Sequence, residues 1–275
     1  MKNIDKLVVD DFGKEWSKFD QSEVPIIELK NSFEKYFSLF PWKTLPANSE
    51  GFDLGCGSGR WAYFCAPLVG KLHCLDPSSS ALNVAIKKLK HYDNCIFHNL
   101  GVDEIPFNDE SMDFGYSLGV LHHIPDTLSA LESCSRKLKK GAPFLVYLYY
   151  KFDNRGFIFK LIWRLSNLMR IIISRLPFPI KHFITDVLAI FIYFPLARLA
   201  LIIEKLGVNS HSLPLSFYRA LPLYTMRTDS LDRFGTKIEQ RFSKNEIHEM
   251  MTSSNLTGII FLEREPFWVA VGFKK

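Results

Sequence analysis

The sequence predicts an α/β fold, with a doubly wound, mostly parallel sheet of seven strands and a helical insertion after the fifth strand. Two observations predict it. Short apolar runs alternate with helix-like segments between Gly51 and Tyr150, and such alternation favours right-handed crossovers and a parallel sheet. Near the C-terminus, two β-rich runs flank a short turn, TGIIFLE and PFWVAVGF. They predict a closing hairpin, which brings the number of strands to seven.

Each element has its own local signal. Five short apolar runs predict strands, namely GFDLGC, KLHCLD, NCIFHNL, MDFGYSLGV and GAPFLVYLYY. Serine caps and apolar residues spaced three or four positions apart predict the helices SGRWAYFCAPLV (capped by Ser58), SSSALNVAIKKLK and DTLSALESCSRKLKK. Aromatic-rich residues 1–45 predict a helical lead-in, and residues 243–255 predict a capped helix.

These elements divide the chain into four expected regions. Residues 1–50 form a helical lead-in or lid, and residues 51–150 form the core. Residues 151–240 form a hydrophobic, basic helical insertion with a substrate wall, because about ninety residues between the last strand of the core and the next helix far exceed an ordinary connection. Residues 241–275 supply the closing helix and strands of the core.

The 275-residue chain has the composition of a globular protein. Its charged fraction of 23% and hydrophobic fraction of 47% exclude disordered and collagen-like classes. Five cysteines without a Cys-x-x-Cys pair exclude a zinc-ribbon spacing and a dense disulfide scaffold, and we expect no metal site. The N-terminal segment MKNIDKLVVDDFGKEW is too charged for a secretory signal. We therefore expect a reduced, cytoplasmic setting.

The formal charge of +5 is concentrated in the insertion. Residues 151–205 contain nine basic and three acidic side chains, a net charge of +6, which leaves −1 for the rest of the chain. Residues 156–176 predict an amphipathic helix. Its polar face collects Lys160, Arg164, Asn167, Ser174 and Arg175, with Arg170 at the edge.

A second apolar segment follows a break at LPFP. Val187–Ile203 is almost wholly apolar, and its length of roughly 25 Å falls short of a clean bilayer span. A basic amphipathic helix followed by an apolar one predicts an interfacial membrane contact through residues 156–206. The alternative is a substrate lid or a homodimer interface in which the two helices bury each other's apolar faces.

A glycine-rich turn, DLGCGSG at residues 53–59, follows the first predicted strand. Such a turn lets the backbone approach a ligand. Its spacing is neither a phosphate loop nor a dinucleotide fingerprint, since Arg60 stands where the latter requires glycine. Asp76 ends the second strand, where a carboxylate can accept hydrogen bonds from both ribose hydroxyls. The alternatives are that Asp53 is merely a turn carboxylate and that Asp76 merely caps the next helix.

Four segments in order carry a family resemblance: FDLGCGSGRW, LDPS, DEIPFNDESMDFGYSLGVLHHIPD and LKKGAPFLVYLYY. Together they resemble the class I S-adenosylmethionine-dependent methyltransferases, in particular the small-molecule branch around the quinone C-methylases. The resemblance covers roughly residues 51–150 and the final helix and strands. It implies a Rossmann-like fold, S-adenosylmethionine as the cofactor and methyl transfer as the activity.

The resemblance also implies a cofactor site. In the family, the glycine turn lies along the methionine part of the cofactor, Asp76 takes the ribose, and the strand-end segment Ser117–Gly119 lines the methyl-donor side. The family's acid near the adenine falls on Gly101 here, so a backbone or shifted contact must substitute. The cofactor-binding candidates are Asp53, Gly55, Cys56, Gly57, Gly59, Asp76, Pro77, Val102, Asp103, Ser117 and Leu118.

Catalytic candidates follow the fourth and fifth strands. A histidine near neutral pKa is a suitable base for taking a proton from an acceptor, and His122 stands in the family's VLHH position with Tyr150 as support. The alternative is that His122 or His123 packs beneath the site. Tyr149 and Tyr150 end the fifth strand at the edge where open sheets bind ligands, and either could be wall or catalyst.

After the insertion, the segment LSFYRALPLYTMRTDSLDRFGT predicts an irregular stretch with the composition of a substrate wall. Its polar and aromatic candidates are Tyr218, Arg219, Tyr224 and Arg227. The two arginines are expected to take a phosphate or carboxylate. The alternative is that they only tie the insertion to the sheet.

We therefore expect methyl transfer to a small or lipid-linked, amphiphilic acceptor, at oxygen. The alternative from another class is a non-catalytic peripheral-membrane or assembly protein that retains the cofactor fold. A nucleic-acid partner is not expected. SLGVLHH stands where an Asn-Pro-Pro-aromatic motif would be, and the basic residues alternate with aliphatic rather than stacking aromatic side chains.

Overall fold

The computed structural model describes residues 3–153, 156–210 and 213–275. The chain divides into two compact units. The first unit contains residues 3–21, Pro25–Asp153 and Ile238–Lys275, and the second contains Ser22–Val24 and the described part of residues 156–237.

A seven-stranded sheet forms the centre of the first unit. Its strands are β1 (Glu50–Leu54), β2 (Lys71–Leu75), β3 (Cys95–His98), β4 (Phe114–Leu118), β5 (Pro143–Tyr147), β6 (Leu256–Phe261) and β7 (Val269–Lys274). Their order is β3-β2-β1-β4-β5-β7-β6. All pairs from β3 through β5 are parallel, and β7 is antiparallel to both β5 and β6. The predicted seven-stranded, mostly parallel sheet with a closing hairpin is confirmed.

The described residues contain ten α-helices. They are α1 (Lys6–Lys18), α2 (Ile26–Tyr36), α3 (Ala62–Cys65), α4 (Ser79–Leu89), α5 (Thr127–Lys137), α6 (Phe157–Ile173), α7 (Phe178–Leu188), α8 (Phe194–Lys205), α9 (Leu223–Gly235) and α10 (Lys244–Ser253). Helices α6 to α9 belong to the second unit, and the others belong to the first.

Helices cover both faces of the sheet, because alternate strand residues point to opposite sides. In β5, Leu145 shares a buried cluster with Leu82 of α4, whereas its neighbour Phe144 shares one with Leu131 of α5. The strand order reverses between β1 and β4. Open sheets of this kind bind ligands at that point, beyond the carboxyl ends of the strands.

The helix after the glycine turn is shorter than predicted. Ser58 does not cap it, since α3 begins only after Trp61 and gives way at Ala66 to a single 3₁₀ turn. Gly59 has a left-handed backbone with φ of 74°, so a regular helix cannot run through it. Pro67 follows closely and lacks the N–H that a continuing helix would use.

The other serine signals in the first unit identify real helix starts. The Ser78 hydroxyl accepts a hydrogen bond from the backbone of Ala81 at the start of α4. At the start of α10, the Ser243 hydroxyl and the Glu246 carboxylate accept each other's backbone N–H, a reciprocal pair known as a capping box. The predicted capped helix at residues 243–255 is confirmed.

The second unit contains the two apolar helical segments. Helix α6 matches the predicted amphipathic helix, and the chain breaks at LPFP before α7. Helix α7, a π-helical turn (Ala189–Tyr193) and α8 then form one helix, Phe178–Lys205, of 28 residues. At 1.5 Å per residue it is about 42 Å long. The prediction that Val187–Ile203 falls short of a clean bilayer span is therefore wrong, because the helix begins earlier, at Phe178, and continues through the π-helical turn and Pro195.

Within the described ranges, this helix is the one candidate by length and hydropathy for a membrane span. The mean hydropathy of its most apolar stretch is 2.1, and 22% of that stretch is buried. A core helix of a globular protein meets the same criteria, so this finding alone assigns no membrane topology.

The stretch that the sequence predicted to be irregular is largely helical, so the prediction of irregular structure is wrong. Helix α9 begins after Pro222 and buries Met226, Ser230 and Phe234, which are four residues apart on one helical face. Polar residues such as Ser230 on the buried face weaken the apolar periodicity from which a helix is predicted.

Two buried cations hold the C-terminal end of α9. The Lys181 ammonium, 2% exposed, donates to the Gly235 carbonyl at 3.1 Å. The Arg170 guanidinium donates to the carbonyls of Thr236 and Lys237 at 3.0 Å each. The last carbonyls of a helix have no partner within the helix and carry partial negative charge. Arg170, predicted at the edge of an exposed basic face, is therefore buried as a cap.

Candidate active site

The turn after β1 requires glycine for its conformation and for space. Gly55, Gly57 and Gly59 have φ values of 77°, 53° and 74°, a region that residues with side chains rarely adopt. A Cβ at Gly55 would lie 2.4 Å from the side chain of Val120, and one at Gly57 would lie 3.0 Å from the indole nitrogen of Trp16. The turn lies at the carboxyl edge of the sheet, where its backbone N–H groups meet the end of β2.

Asp76 braces this turn from the end of β2. Its Oδ2 accepts a hydrogen bond from the Gly57 backbone at 2.9 Å, and its Oδ1 accepts one from Ser78 at 2.8 Å. Pro77, between them, is half-buried. Each carboxylate oxygen has a second acceptor position, so Asp76 retains the capacity to accept from two hydroxyls. Burial raises the pKa of Asp76 to about 6.

Asp53 lies next to it, at the end of β1. Its side chain is 1% exposed, and its Oδ2 has no hydrogen-bond partner among the described residues. Burial raises the pKa of Asp53 to about 8, and the negative charge of Asp76 contributes to the rise. A buried carboxylate oxygen without a partner, a glycine turn and an acceptor at Asp76 together fit a nucleoside ligand that carries a cationic group.

The remaining predicted cofactor residues lie on the neighbouring loops. Val102 is buried in a one-turn helix after β3, and the Asp103 carboxylate accepts a hydrogen bond from the backbone of Asn3. Ser117, in β4, is fully buried and donates to a β1 carbonyl at 2.9 Å. Cys56 and Leu118 are 2% and 5% exposed. The loops that the resemblance assigns to the cofactor therefore meet at one edge of the sheet.

Helix α1 lies against these loops, which the sequence did not predict in detail. Gly13 packs so closely on Ser78 that a Cβ would lie 2.4 Å from its hydroxyl oxygen. The Arg60 guanidinium lies 5.5 Å from the Trp16 ring and 4.4 Å from the Trp61 ring. Glycine is unfavourable inside a helix. Gly13 was therefore the available signal that another segment packs tightly against α1.

His122 lies in a one-turn helix after β4 and is fully buried. Its ring stacks on that of Tyr149, with centroids 3.8 Å apart and an angle of 29° between the planes, and the His123 ring is 4.1 Å away. Neither ring nitrogen of His122 has a hydrogen-bond partner among the described residues. Burial lowers the pKa of His122 well below its usual value, and the charges of His123 and Arg241 act in the same direction. The imidazole is therefore neutral near pH 7.

The tyrosine that stacks on His122 is Tyr149. The Tyr150 ring instead packs on Phe152 at 4.5 Å and on Phe267 at 5.5 Å. Successive residues of an extended chain point to opposite sides, so the two tyrosines face different surroundings. Arg241, which the sequence analysis did not single out, lies 5.0 Å from the Tyr149 ring.

The four predicted substrate-wall residues lie in the second unit. Arg219 donates to the Glu204 carboxylate at 2.7 and 3.1 Å, and Arg227 donates to Asp186 at 2.9 and 2.7 Å. The Tyr218 ring lies 5.4 Å from the Tyr193 ring at a tilt of 54°, and Tyr224 is 8% exposed. Both guanidinium groups thus bind carboxylates of their own unit. The sequence instead predicted that they bind a phosphate or carboxylate of the substrate, or that they tie the insertion to the sheet.

Comparison with known proteins identifies the family to which these residues belong. Residues 52–146 match the family model described as a methyltransferase domain. The chain contains a methyltransferase domain. The predicted resemblance to the class I S-adenosylmethionine-dependent methyltransferases is confirmed, and S-adenosylmethionine is the cofactor that this family implies.

Curated relatives of the methyltransferase domain differ in their acceptors. A demethylmenaquinone methyltransferase of Bacillus licheniformis is 26% identical over 134 residues, which are 47% of this chain and 57% of that protein. A tRNA U34 carboxymethyltransferase of Aliarcobacter butzleri is 29% identical over 97 residues, 34% of this chain and 32% of that protein. The chain thus spans about half the length, or less, of these relatives.

Solved structures agree on the fold. A structure from Bacillus halodurans described as a methyltransferase has a TM-score of 0.52 at 15% identity, covering 84% of this chain and 72% of that one. A S-adenosylmethionine-dependent methyltransferase from Thermotoga maritima has a TM-score of 0.50 at 15% identity, covering 96% and 100%. At this identity the likeness concerns the fold alone, and it supports the predicted α/β architecture.

Proposed function

We propose that this chain transfers a methyl group from S-adenosylmethionine to a small or lipid-linked, amphiphilic acceptor, at oxygen. The observation that carries the proposal is the left-handed glycine turn beside the two buried carboxylates of Asp53 and Asp76. Asp76 offers acceptors for ribose hydroxyls, and Asp53 offers a carboxylate to a cationic ligand. A protein that binds no nucleoside has no physical need for this combination.

The proposal assigns each cofactor candidate to one part of the ligand. The methionine part of the ligand is assigned to the glycine turn, at Asp53, Gly55, Cys56, Gly57 and Gly59. The ribose is assigned to Asp76 and Pro77, and the adenine to Val102 and Asp103. The methyl-donor side is assigned to Ser117 and Leu118. When bound, S-adenosylmethionine supplies an electrophilic methyl group. The chain itself mainly has to hold the acceptor in line with it.

Calorimetry with S-adenosylmethionine and S-adenosylhomocysteine tests the cofactor site. Asp76→Asn is expected to weaken binding at least tenfold, since a hydrogen bond to a charged group contributes about 1.5–3 kcal/mol. Asp113→Asn is the matched control. The Asp113 carboxylate also accepts a backbone hydrogen bond, from Glu50, but at the amino end of β1. If the wild type bound neither ligand, the non-catalytic membrane or assembly protein would become the better hypothesis.

His122 is the proposed base for the acceptor's proton. Its neutral imidazole offers a nitrogen lone pair, but its pKa is well below the near-neutral value that the sequence predicted, so it is a weaker base than an ordinary histidine. Tyr149 stacks on this ring and takes the supporting role that the sequence analysis gave to Tyr150. His122→Ala is expected to abolish methyl transfer from labelled S-adenosylmethionine, whereas His248→Ala, which removes an exposed histidine of α10, serves as the control. Full turnover by His122→Ala would exclude it as the base.

The amphiphilic character of the acceptor rests on the second unit. Eight apolar side chains of α6 are 44–75% exposed: Phe157, Ile158, Leu161, Ile162, Leu165, Leu168, Met169 and Ile172. Apolar surface of this extent is typical of a lipid or protein contact. Two relatives are named for methylation of demethylmenaquinone and O-methylation in ubiquinone biosynthesis, which is consistent with a lipid-soluble acceptor.

Transfer of labelled methyl groups to fractionated extracts tests the acceptor class. We expect label in the lipid fraction, attached through oxygen when the product is fragmented in a mass spectrometer. The tRNA fraction is the essential second arm, because relatives named for tRNA U34 exist. Label in tRNA alone would refute a lipid-linked or small-molecule acceptor.

The same surface supports an interfacial membrane contact through residues 156–206, made by a cytoplasmic protein. Transfer of each half-exposed aliphatic side chain into lipid contributes about 1 kcal/mol, and the exposed cations Arg164 and Arg175 add attraction to anionic lipid. Flotation with phosphatidylcholine vesicles, with and without phosphatidylglycerol, tests the contact. Leu165→Gln/Leu168→Gln is expected to reduce binding to both vesicles, and Arg164→Gln/Arg175→Gln to reduce binding to the anionic ones.

A homodimer is the competing explanation for the apolar surface. Sedimentation velocity at several protein concentrations separates the two, because a dimer through this surface would dissociate in the leucine variant without any lipid present. If the wild type dimerised and bound neither kind of vesicle, the homodimer would become the better explanation of the apolar surface.

A further inference from the structure

A short strap, residues 238–242, runs beside the ends of β4 and β5. The Gln240 backbone donates to the His122 carbonyl at 3.0 Å, and its side-chain amide donates to the Ile124 carbonyl at 2.7 Å. The Phe242 backbone donates to the Tyr149 carbonyl at 2.8 Å. The strap therefore holds the histidine turn and the end of β5 at the same time.

In the strap, the side chain of Arg241 lies against the aromatic rings of Tyr149 and Phe152. Its guanidinium carbon lies 5.0 Å from the Tyr149 ring and 4.8 Å from the Phe152 ring. The group donates to the Glu239 carboxylate at 2.8 Å and to the Tyr150 carbonyl at 3.3 Å. The side chains of Arg241 and Glu239 are 12% and 1% exposed. A long cation held this tightly has little freedom to leave the ring.

We propose that Arg241 is a positioning residue for His122, acting through the Tyr149 ring against which both groups lie. The inference rests on the proposed function, in which His122 is the base. A planar guanidinium on an aromatic face is attracted to the ring and restricts its plane. His122 stacks on that ring at 3.8 Å and 29°, so fixing the plane of Tyr149 also fixes the plane of the imidazole.

The same arrangement keeps the imidazole neutral. Among the described residues, three titratable groups act on His122: His123 from its own turn, Tyr149 just after β5, and Arg241 from the strap, with Glu239 as its counter-ion. Burial lowers the pKa of His122, and the charges of His123 and Arg241 lower it further. A second cation against the Tyr149 ring would be repelled by the first. Arg241 thus favours the neutral imidazole, whose nitrogen lone pair stays unprotonated, while it lowers the basicity of that nitrogen.

NMR of protein labelled with ¹⁵N in histidine tests this role without acceptor or turnover. The His122 resonances, identified by their loss in His122→Gln, are followed from about pH 5.5 to about pH 8.5, a range that spans the usual histidine pKa. In the wild type we expect a neutral ring throughout and ring protons shifted by the stacked Tyr149. In Arg241→Met we expect the pKa of His122 to rise, because one of the two cations that lower it is gone, and the ring-current shift to shrink.

Two further substitutions separate charge from geometry. Arg241→Lys keeps the charge but not the planar group, so the low pKa of His122 is expected to return while the ring-current shift stays reduced. Lys244→Met is the matched control. It removes another cation lying on aromatic rings, 5.4 Å from Phe261 and 5.7 Å from Trp268, and the His122 signals should not change.

Arg241→Met leaves the Glu239 carboxylate without its cation, so Arg241→Met/Glu239→Gln is measured beside it. Should both variants fail to fold, Arg241→Lys still reports the ring-current shift. A wild-type His122 that titrates normally, or His122 signals that are the same in every folded Arg241 variant, would overturn the proposal. Binding of S-adenosylhomocysteine by the same samples is a separate readout. If S-adenosylhomocysteine did not bind, the proposed function would be refuted, whereas the comparison of the His122 signals would still test the positioning role of Arg241.

Discussion

Asp53→Asn is expected to stabilise the ligand-free protein at neutral and alkaline pH and to weaken cofactor binding. The wild-type carboxyl is 1% exposed, so its negative form is costly in the absence of a cationic ligand. Asparagine has nearly the same shape and stays uncharged at every pH. The substitution therefore removes the cost of ionisation together with the charge that the cofactor would meet.

The size of the effect follows from two pKa values. The pKa of Asp53 rises from 3.8 to about 8 in the folded chain, and each unit corresponds to about 1.36 kcal/mol. Because the folded value is the higher one, the contribution to stability is complete below pH 3.8 and is lost as pH rises towards 8. At pH 8 this difference amounts to about 5 kcal/mol. An unpaired buried amide offsets about 1–3 kcal/mol of it, which leaves a net stabilisation of about 2–4 kcal/mol.

Urea denaturation at about pH 5, 6.5 and 8 measures the difference directly. The free energy of unfolding of the wild type should fall by about 3–4 kcal/mol across this range from Asp53 alone, and Asp53→Asn should lack that part of the slope. Calorimetry at pH 8 should show weaker binding of S-adenosylmethionine by the same variant. Asp113→Asn, which disrupts a hydrogen bond to the Glu50 backbone, should gain no stability. If Asp53→Asn were no more stable than the wild type at pH 8, burial would not be dominating the ionisation of Asp53.

Three other outcomes follow from the described contacts. Burial raises the pKa of Asp76 to about 6, so calorimetry should show the affinity for S-adenosylmethionine falling as pH drops through 6, because protonation removes acceptors; a rise would contradict this role. Gly57→Ala places a Cβ 3.0 Å from Trp16 at a φ of 53°, and a loss of about 1–2 kcal/mol in thermal unfolding is expected. Lys181→Met leaves the Gly235 carbonyl without its ammonium partner, at 3.1 Å, and a loss of about 1–3 kcal/mol in urea denaturation is expected. Unchanged stability in either variant would show that the surroundings adapt.

Local signals predicted the sheet well. Each strand is a short apolar run bounded by turn residues, and the parallel order follows from the alternation with helices. The capping box that begins with Ser243 and the cap at Ser78 were also predictable, because a cap depends on residues within one helical turn. At Ser58 the cap signal failed, because the left-handed backbone at Gly59 keeps a regular helix from starting there.

The second unit was harder to predict. Helix α9 places Ser230 on its buried face, which hides the apolar period. The charge of Arg170 predicted a place at the edge of a solvent-exposed face, yet it caps the end of α9. In both cases, a polar group is buried because another segment supplies a hydrogen bond. The residues that flank the polar group in the sequence do not indicate which distant segment supplies that hydrogen bond.

The sequence by itself determined the α/β fold, the glycine turn and the acid that follows the second strand, because these depend on period, spacing and backbone preference. Only the tertiary structure decided that Tyr149 rather than Tyr150 meets His122, that α1 packs on the glycine turn, and that Arg241 lies against the Tyr149 ring. Such contacts join residues about thirty to about ninety positions apart. They depend on how the strands direct neighbouring side chains to opposite sides and on where the chain returns from its insertion.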